Sequence, residues 1–252
     1  MKNIVLIMLL VFGGQCVYSQ ELKPEYHKFV KIFIENVKNN RKEEVAKMIK
    51  YPLHRDNPVP PIKNKTEFIK RYDEIFDEEL KKEIVNSDPI KNWEQVGWRG
   101  IMLNSGTIWF EGDGKLKTIN HVSKKEKAYK EKLIAAQKSK LHSSIKEFKE
   151  PLYVLETSKF RIRIDDLGNQ KYRYASWPIK SNMSQKPDLI LQNGKWLPDG
   201  TGGNSYFEFK KGNFVYQCYI IVLGQSDSPP ATLTIYQNEK TILEQNAKIV
   251  SW

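Results

Sequence analysis

Cysteine is nearly absent from this 252-residue chain, which holds only Cys16 and Cys218. No framework of internal disulfides can be built from so few thiols. Arginine is scarce as well. Seven arginines stand against 34 lysines in a chain of formal net charge +11. Proteins that read nucleic acid gather arginines and aromatics into a motif. Here the lysines are spread along both halves and no zinc-finger or similar signature occurs, so the charge reads as a solvated surface and nucleic acid is not an expected partner. The four histidines lack the His-Glu-x-x-His spacing of a zinc site, and there is no Gly-x-Ser-x-Gly elbow. Neither a metal nor a cofactor is expected. Beyond the first twenty residues no apolar run is long enough to cross a bilayer.

Those first residues carry a different message. Lys2, the apolar run Ile4 to Phe12 and the small-residue site Val17-Tyr18-Ser19 form a secretory leader, residues 1–19, with cleavage expected after Ser19. The alternative is a lipid anchor on Cys16, although Gln15 stands where a lipobox wants a small residue. The expectation is therefore an exported, periplasmic or extracellular protein. Cys218, left as the single thiol, lies inside the alternating run Phe214–Leu223 and reads as a buried packing residue.

Helical periodicity dominates the first part. Tyr26, Phe29, Val30, Phe33 and Val37 share a face, and Val45, Met48 and Ile49 follow with Asn40 as the expected N-cap. After a proline-rich loop, Asn64 and Glu67 have capping-box spacing, and Phe68, Tyr72, Ile75 and Phe76 make the next apolar face. The period then falls to two, with strands expected at Trp93–Trp98, Gly100–Leu103, Thr107–Glu111 and Lys115–His121. Ser123 and Glu126 cap a bridging helix whose apolar residues are Leu133, Ile134, Leu141, Ile145 and Phe148. From Tyr153 onward the pattern is all β, with eight strands separated by Gly168-Asn169, Asn193-Gly194, Gly212-Asn213 and Asn238-Glu239. The expected fold is α+β, with residues 20–122 as a first domain, 123–150 as the bridge and 151–252 as a β-sandwich or small barrel.

The order of the N-terminal pieces resembles the NTF2-like (SnoaL-like) superfamily. The helix Tyr26–Val37, the exit "YPL", the stretch "TEFIKRYDEIFDEELKKEI" and the strand run "VGWRGIMLNSGTIWFEGDGKLKTIN" carry the resemblance, over about residues 22–121. It implies helices wrapped on a curved antiparallel sheet around a conical cavity, with Tyr72, Trp98, Met102 and Trp109 as cone-lining candidates. Enzymatic members place an Asp/His pair in the cone, for which His54 and Asp56 are the nearest candidates here. Arg99 and Glu111 are the ionisable groups nearest the aromatic sheet and read as an ion pair. The family includes isomerases, dehydratases and non-catalytic binding modules, so its fold does not assign chemistry. Its sheets also pair as homodimers.

Two further stretches bear on function. In "LPDGTGGNSYFEF" the glycines Gly200, Gly202 and Gly203 precede a strand pattern. No helix N-terminus follows to cradle a phosphate, so a bend between strands is expected. Asn64-Lys65-Thr66 and Asn182-Met183-Ser184 match the glycosylation acceptor pattern. In "KFRIRIDDLGNQKYRYASW", alternation places Arg161, Arg163, Asp165 and Arg173 on one face, with Trp177 at its end. Arginine forks beside an aromatic edge suit carboxylates, phosphates or sugar acids. The expectation is an exposed ligand surface on a non-catalytic binding protein for a small molecule or an anionic glycan. The alternatives are an enzyme using the cone and a dimerisation module.

Overall fold

The computed structural model describes residues 22–250, so the leader and Cys16 lie outside the described residues. In chain order the helices are α1 (Pro24–Lys38), α2 (Lys42–Met48), α3 (Lys65–Ile75), α4 (Glu78–Val85) and α5 (Lys124–Lys140). Four short strands, β1 (Trp93–Gln95), β2 (Ile101–Leu103), β3 (Ile108–Phe110) and β4 (Leu116–Ile119), precede α5. Eight more follow it: β5 (Glu150–Glu156), β6 (Phe160–Gly168), β7 (Lys171–Pro178), β8 (Leu189–Asp199), β9 (Asn204–Lys211), β10 (Phe214–Ile220), β11 (Ala231–Gln237) and β12 (Lys240–Val250).

The chain forms two compact units that depart from the expected boundaries. The first takes the described residues up to Lys50 together with Glu78–His121, and the second takes Tyr51–Asp77 and everything from Val122. The segment carrying α3 thus packs with the β-rich part, as does the helix expected to be a bridge.

In the first unit β1 to β4 form an antiparallel meander. Register puts Trp93, Leu103, Ile108 and Ile119 in one cross-strand row, and all four are buried. Phe33 of α1 meets Phe110 edge to face at 5.1 Å. Asn40 does not cap α2. It takes a left-handed turn conformation, and the residue before the helix is Arg41, whose side chain makes no capping bond.

In the second unit β5 to β12 pair with their sequence neighbours and β12 returns to β5, closing an eight-stranded antiparallel barrel. Closure removes every sheet edge, so the sandwich alternative falls away. At eight strands the interior is just wide enough for side chains to fill it or for one small ligand. Here Leu155, Ile162, Ile164, Tyr174, Phe207, Phe209, Cys218 and Leu233 are buried in it together. Asn193-Gly194 is not a hairpin turn but lies within β8. A Cβ on Gly194 would stand 2.1 Å from the Phe209 ring, so the ring occupies the space that glycine leaves.

Charged pairs fasten the helices of this unit. Ser123 accepts the Glu126 amide at 3.1 Å, as its spacing predicted. The Glu126 carboxylate takes a two-point bond from buried Arg55, at 2.7 and 2.6 Å. One turn on, Lys130 reaches Asp56 at 2.7 Å and Glu150 at 3.0 Å. Burial works against its charge, yet the two carboxylates outweigh it and raise the pKa. α5 ends at Lys140, earlier than its apolar pattern suggested. Leu141, Ile145 and Phe148 lie in the segment after it, which includes the 3₁₀ turn Ser143–Ile145, and pack on Ala175 and Trp177, on the outside of the barrel wall.

Candidate functional site

The arginine row lies on one face of the β6–β7 hairpin, as alternation requires. Arg161 is opposite Trp177, Arg163 opposite Ala175 and Asp165 opposite Arg173. That face is not exposed. The segment after α5 covers it, leaving Arg163 at 1%, Arg173 at 3%, Asp165 at 0% and Trp177 at 1% relative exposure. The expected open ligand surface is corrected accordingly. Alternation reports which side of a sheet a residue takes, not what packs over that side.

Under the cover each polar side chain holds a piece of it. Arg163 donates through Nε to Asp165 at 2.7 Å, and through Nη1 and Nη2 to Gln137 Oε1 on α5, both at 3.2 Å. Its guanidinium also lies 4.7 Å from the Phe148 ring centroid. Arg173 donates to the other Asp165 oxygen at 2.5 Å and to the carbonyls of Ile145 and Glu147 at 2.7 and 2.9 Å. Two guanidiniums share one carboxylate, so the cluster carries an excess positive charge. Burial pushes the Asp165 carboxyl up, against the pull of both arginines, and pushes the Arg163 guanidinium down. Arg161 pairs with Glu156 at 2.8 Å and donates to the Ser181 carbonyl in the loop between β7 and β8. Trp177 donates to Gln185 O in the same loop at 2.9 Å.

Between this loop and the end of α5 lies a pocket of about 550 Å³, lined by Gln137, Lys140, Leu141, Arg163, Asn182, Met183 and Ser184. That volume is in the range of small-molecule sites. Its two walls are joined by the His142 amide donating to the Met183 carbonyl at 3.2 Å. The lining combines an apolar pair, Leu141 and Met183, with neutral polar tips and two cations. Among the described residues lining it there is no carboxylate. Of the sequence-predicted residues only Arg163 reaches this pocket. Leu141 carried an indirect signal, an apolar residue beyond a helix end that needs a surface to pack on.

The remaining candidates are dispersed. Tyr72 is buried in α3 and stacks on Phe76 at 4.7 Å within the second unit. Trp98 stands 79% exposed in the 3₁₀ turn Gly97–Arg99, while Met102 and Trp109 are cross-strand neighbours in β2 and β3 of the first unit. Tyr72 therefore belongs to the second unit and the other three to the first. His54 lies by the proline-rich loop, in a cleft of about 200 Å³ with Leu152 and Tyr153, and Asp56 is engaged by Lys130. Glu111 pairs with Lys50 at 2.6 Å rather than with Arg99. Cys218 is buried in the barrel, and its thiol is pushed up to about 12 by burial, a setting for packing and not for nucleophilic chemistry.

"DGTGGN" is the turn between β8 and β9. Gly200 and Gly203 take positive φ there, a conformation glycine adopts without strain. Asn204 closes the turn onto its neighbour: its side-chain oxygen accepts the amides of Val222 and Leu223, both at 2.8 Å, and its nitrogen donates to Leu223 O at 2.9 Å. The stretch is a bend that organises a second loop.

No protein-family model, curated protein or solved structure matches the chain. The molecule is thus defined by its own architecture, an α+β chain with a closed eight-stranded up-and-down barrel and a preformed pocket on the outside of that barrel.

Proposed function

We propose that this is an exported, non-catalytic binding protein whose ligand is a small acid with an apolar body, such as a carboxylate or sugar acid, held in the pocket between α5 and the β7–β8 loop. The observation that carries the proposal is the composition of that lining. Lys140 and Arg163 supply positive charge, Leu141 and Met183 supply apolar surface, and the buried Arg163–Asp165–Arg173 cluster behind it keeps a net charge of one sign. Lys140 at the exposed rim is the direct partner for an anion, and Gln137, Asn182 and Ser184 orient the ligand's neutral oxygens. Export rests on the leader-like first nineteen residues.

The test is calorimetric titration of the mature protein with glucuronate, galacturonate and short carboxylic acids, alongside Lys140→Glu and Met183→Trp. Saturable binding of at least one acid, abolished in both variants at unchanged melting temperature, supports the reading. Binding that both variants retain, or no binding of any acid, contradicts it.

We propose further that residues 20–122 are NTF2-like, although Tyr51–Asp77, with α3, falls in the second compact unit. The support is the helix pair α1–α2 preceding a four-stranded antiparallel meander.

A further inference from the structure

The outer face of β9 and β10 carries a feature unconnected with the pocket. Tyr206 and Tyr219 are direct cross-strand neighbours. Both point away from the barrel interior, since the residues flanking each, Phe207 and Cys218, point inward. Both are only partly buried, and their rings lie within 9° of parallel with centroids 6.1 Å apart. Rings in full face-to-face contact would be about 3.5–4 Å apart. At 6.1 Å the rings are offset and overlap at most in part, and both side chains remain partly open to solvent.

In its own row the pair is flanked by Leu197 on β8 and Thr232 on β11, and the groups beyond are polar and nearly balanced in charge. The Tyr219 hydroxyl donates to Asp199, which is held beside it on β8. One row along the strands, Glu208 is opposite Gln217 on one side and Lys195 on the other, and Lys210 pairs with Glu208 at 3.2 Å. Gln217 in turn faces the hydroxyl of Tyr236, at 3.5 Å. Flat apolar faces bordered by amide, carboxylate and hydroxyl groups match the two chemistries of a sugar ring: a C–H face that packs on an aromatic π-face, and an equatorial belt of hydroxyls that donate and accept. The Glu208–Lys210 pair leaves no excess of positive charge to select a polyanion.

We propose that Tyr206 and Tyr219 form a binding surface for a neutral polysaccharide chain, with adjacent sugar rings packed on the two tyrosines and Asp199, Glu208 and Gln217 bonding their hydroxyls. The surface is distinct from the acid pocket and does not depend on it.

The test is native affinity electrophoresis of the mature protein through gels containing hydroxyethyl cellulose, xylan, laminarin or galactomannan, with alginate as the polyanionic comparison. At least one neutral glycan should retard the protein. Tyr206→Ala/Tyr219→Ala should weaken that retardation roughly tenfold, while circular dichroism and melting temperature stay as in the wild type. Tyr219→Phe, which keeps the ring, should retain most of it, and Lys140→Glu and Met183→Trp should retain all of it. Absence of retardation by every neutral glycan overturns the proposal. Retardation by alginate alone, or neutral-glycan retardation that survives the double substitution, does so as well.

Discussion

Arg173 and Asp165 meet at 2.5 Å on the outside of a barrel wall, where both are almost entirely removed from solvent. The bond lies within the β6–β7 hairpin, and the same guanidinium ties the hairpin to the segment that covers it by holding the carbonyls of Ile145 and Glu147. Breaking a buried charge pair by removing one partner typically costs about 3–5 kcal/mol, since the other charge stays behind uncompensated. Asp165→Asn leaves two guanidiniums sharing a neutral amide and is expected to cost that much in urea denaturation. Arg163→Ala leaves Asp165 paired with Arg173 and should cost less, through the lost packing and the lost tie to Gln137. A loss below about 1 kcal/mol in both would show that the cluster is solvated rather than buried.

Gly194 answers to a steric demand inside the barrel. Its missing side chain is the space that Phe209 fills, and a Cβ would stand 2.1 Å from that ring. Gly194→Ala should therefore destabilise by about 1–3 kcal/mol, the range for overpacking a core. Gly194→Ala/Phe209→Leu should recover part of the loss, because the smaller side chain vacates the site. Equal stability of the two variants would contradict the packing argument.

Alkaline pH should unfold the barrel through groups whose protons burial retains. Cys218 is raised from 9.0 to about 12, and Tyr51 from 10.0 to about 12. Both acids hold their proton more tightly when folded, so their contribution is fully present below the unfolded values. It is lost as pH rises from about 9 towards 12. The Cys218 shift alone corresponds to on the order of 4 kcal/mol by pH 12. Denaturation series at pH 8, 9.5 and 11 should show a falling midpoint, with a shallower fall in Cys218→Ala. A pH-independent midpoint over that range would contradict it.

The turn Gly200–Gly203 should depend on Asn204 for its partner loop. Removing three side-chain bonds in a half-exposed setting costs about 1 kcal/mol in global stability. The sharper readout is local: in Asn204→Ala, the amides of Val222 and Leu223 should exchange with solvent faster than those of neighbouring β10. Unchanged exchange at these two amides would remove Asn204 from its organising role.

Most of the barrel strands were legible because they alternate between a filled interior and an outer face and turn residues punctuate them; β8 was read short, since Asn193-Gly194 has the composition of a turn but lies within the strand. Closure was less legible, since pairing of β12 with β5 joins strands nearly a hundred residues apart in sequence and leaves no local signal. The arginine row shows the same limit on a smaller scale. Period two placed Arg161, Arg163 and Arg173 together on one face. What covers that face comes from Leu141, Ile145 and Phe148, which look like the continuation of a helix until Leu141 is seen to end it in an extended conformation. The pocket was hidden for this reason. Gln137 and Lys140 are ordinary residues of a solvated helix, and Asn182-Met183-Ser184 shows only a glycosylation acceptor pattern until both are laid against the barrel.

The acid pocket is tested most directly at the Met183 methyl group, which lies in its lining. With methyl-labelled methionine, titration of glucuronate or a short carboxylic acid should shift the Met183 resonance saturably. Met102, in the small sheet of the first unit, should remain still and serve as the internal reference. In Lys140→Glu the shift should disappear. A Met183 resonance that does not move with any acid, or that moves in step with Met102, would contradict the account.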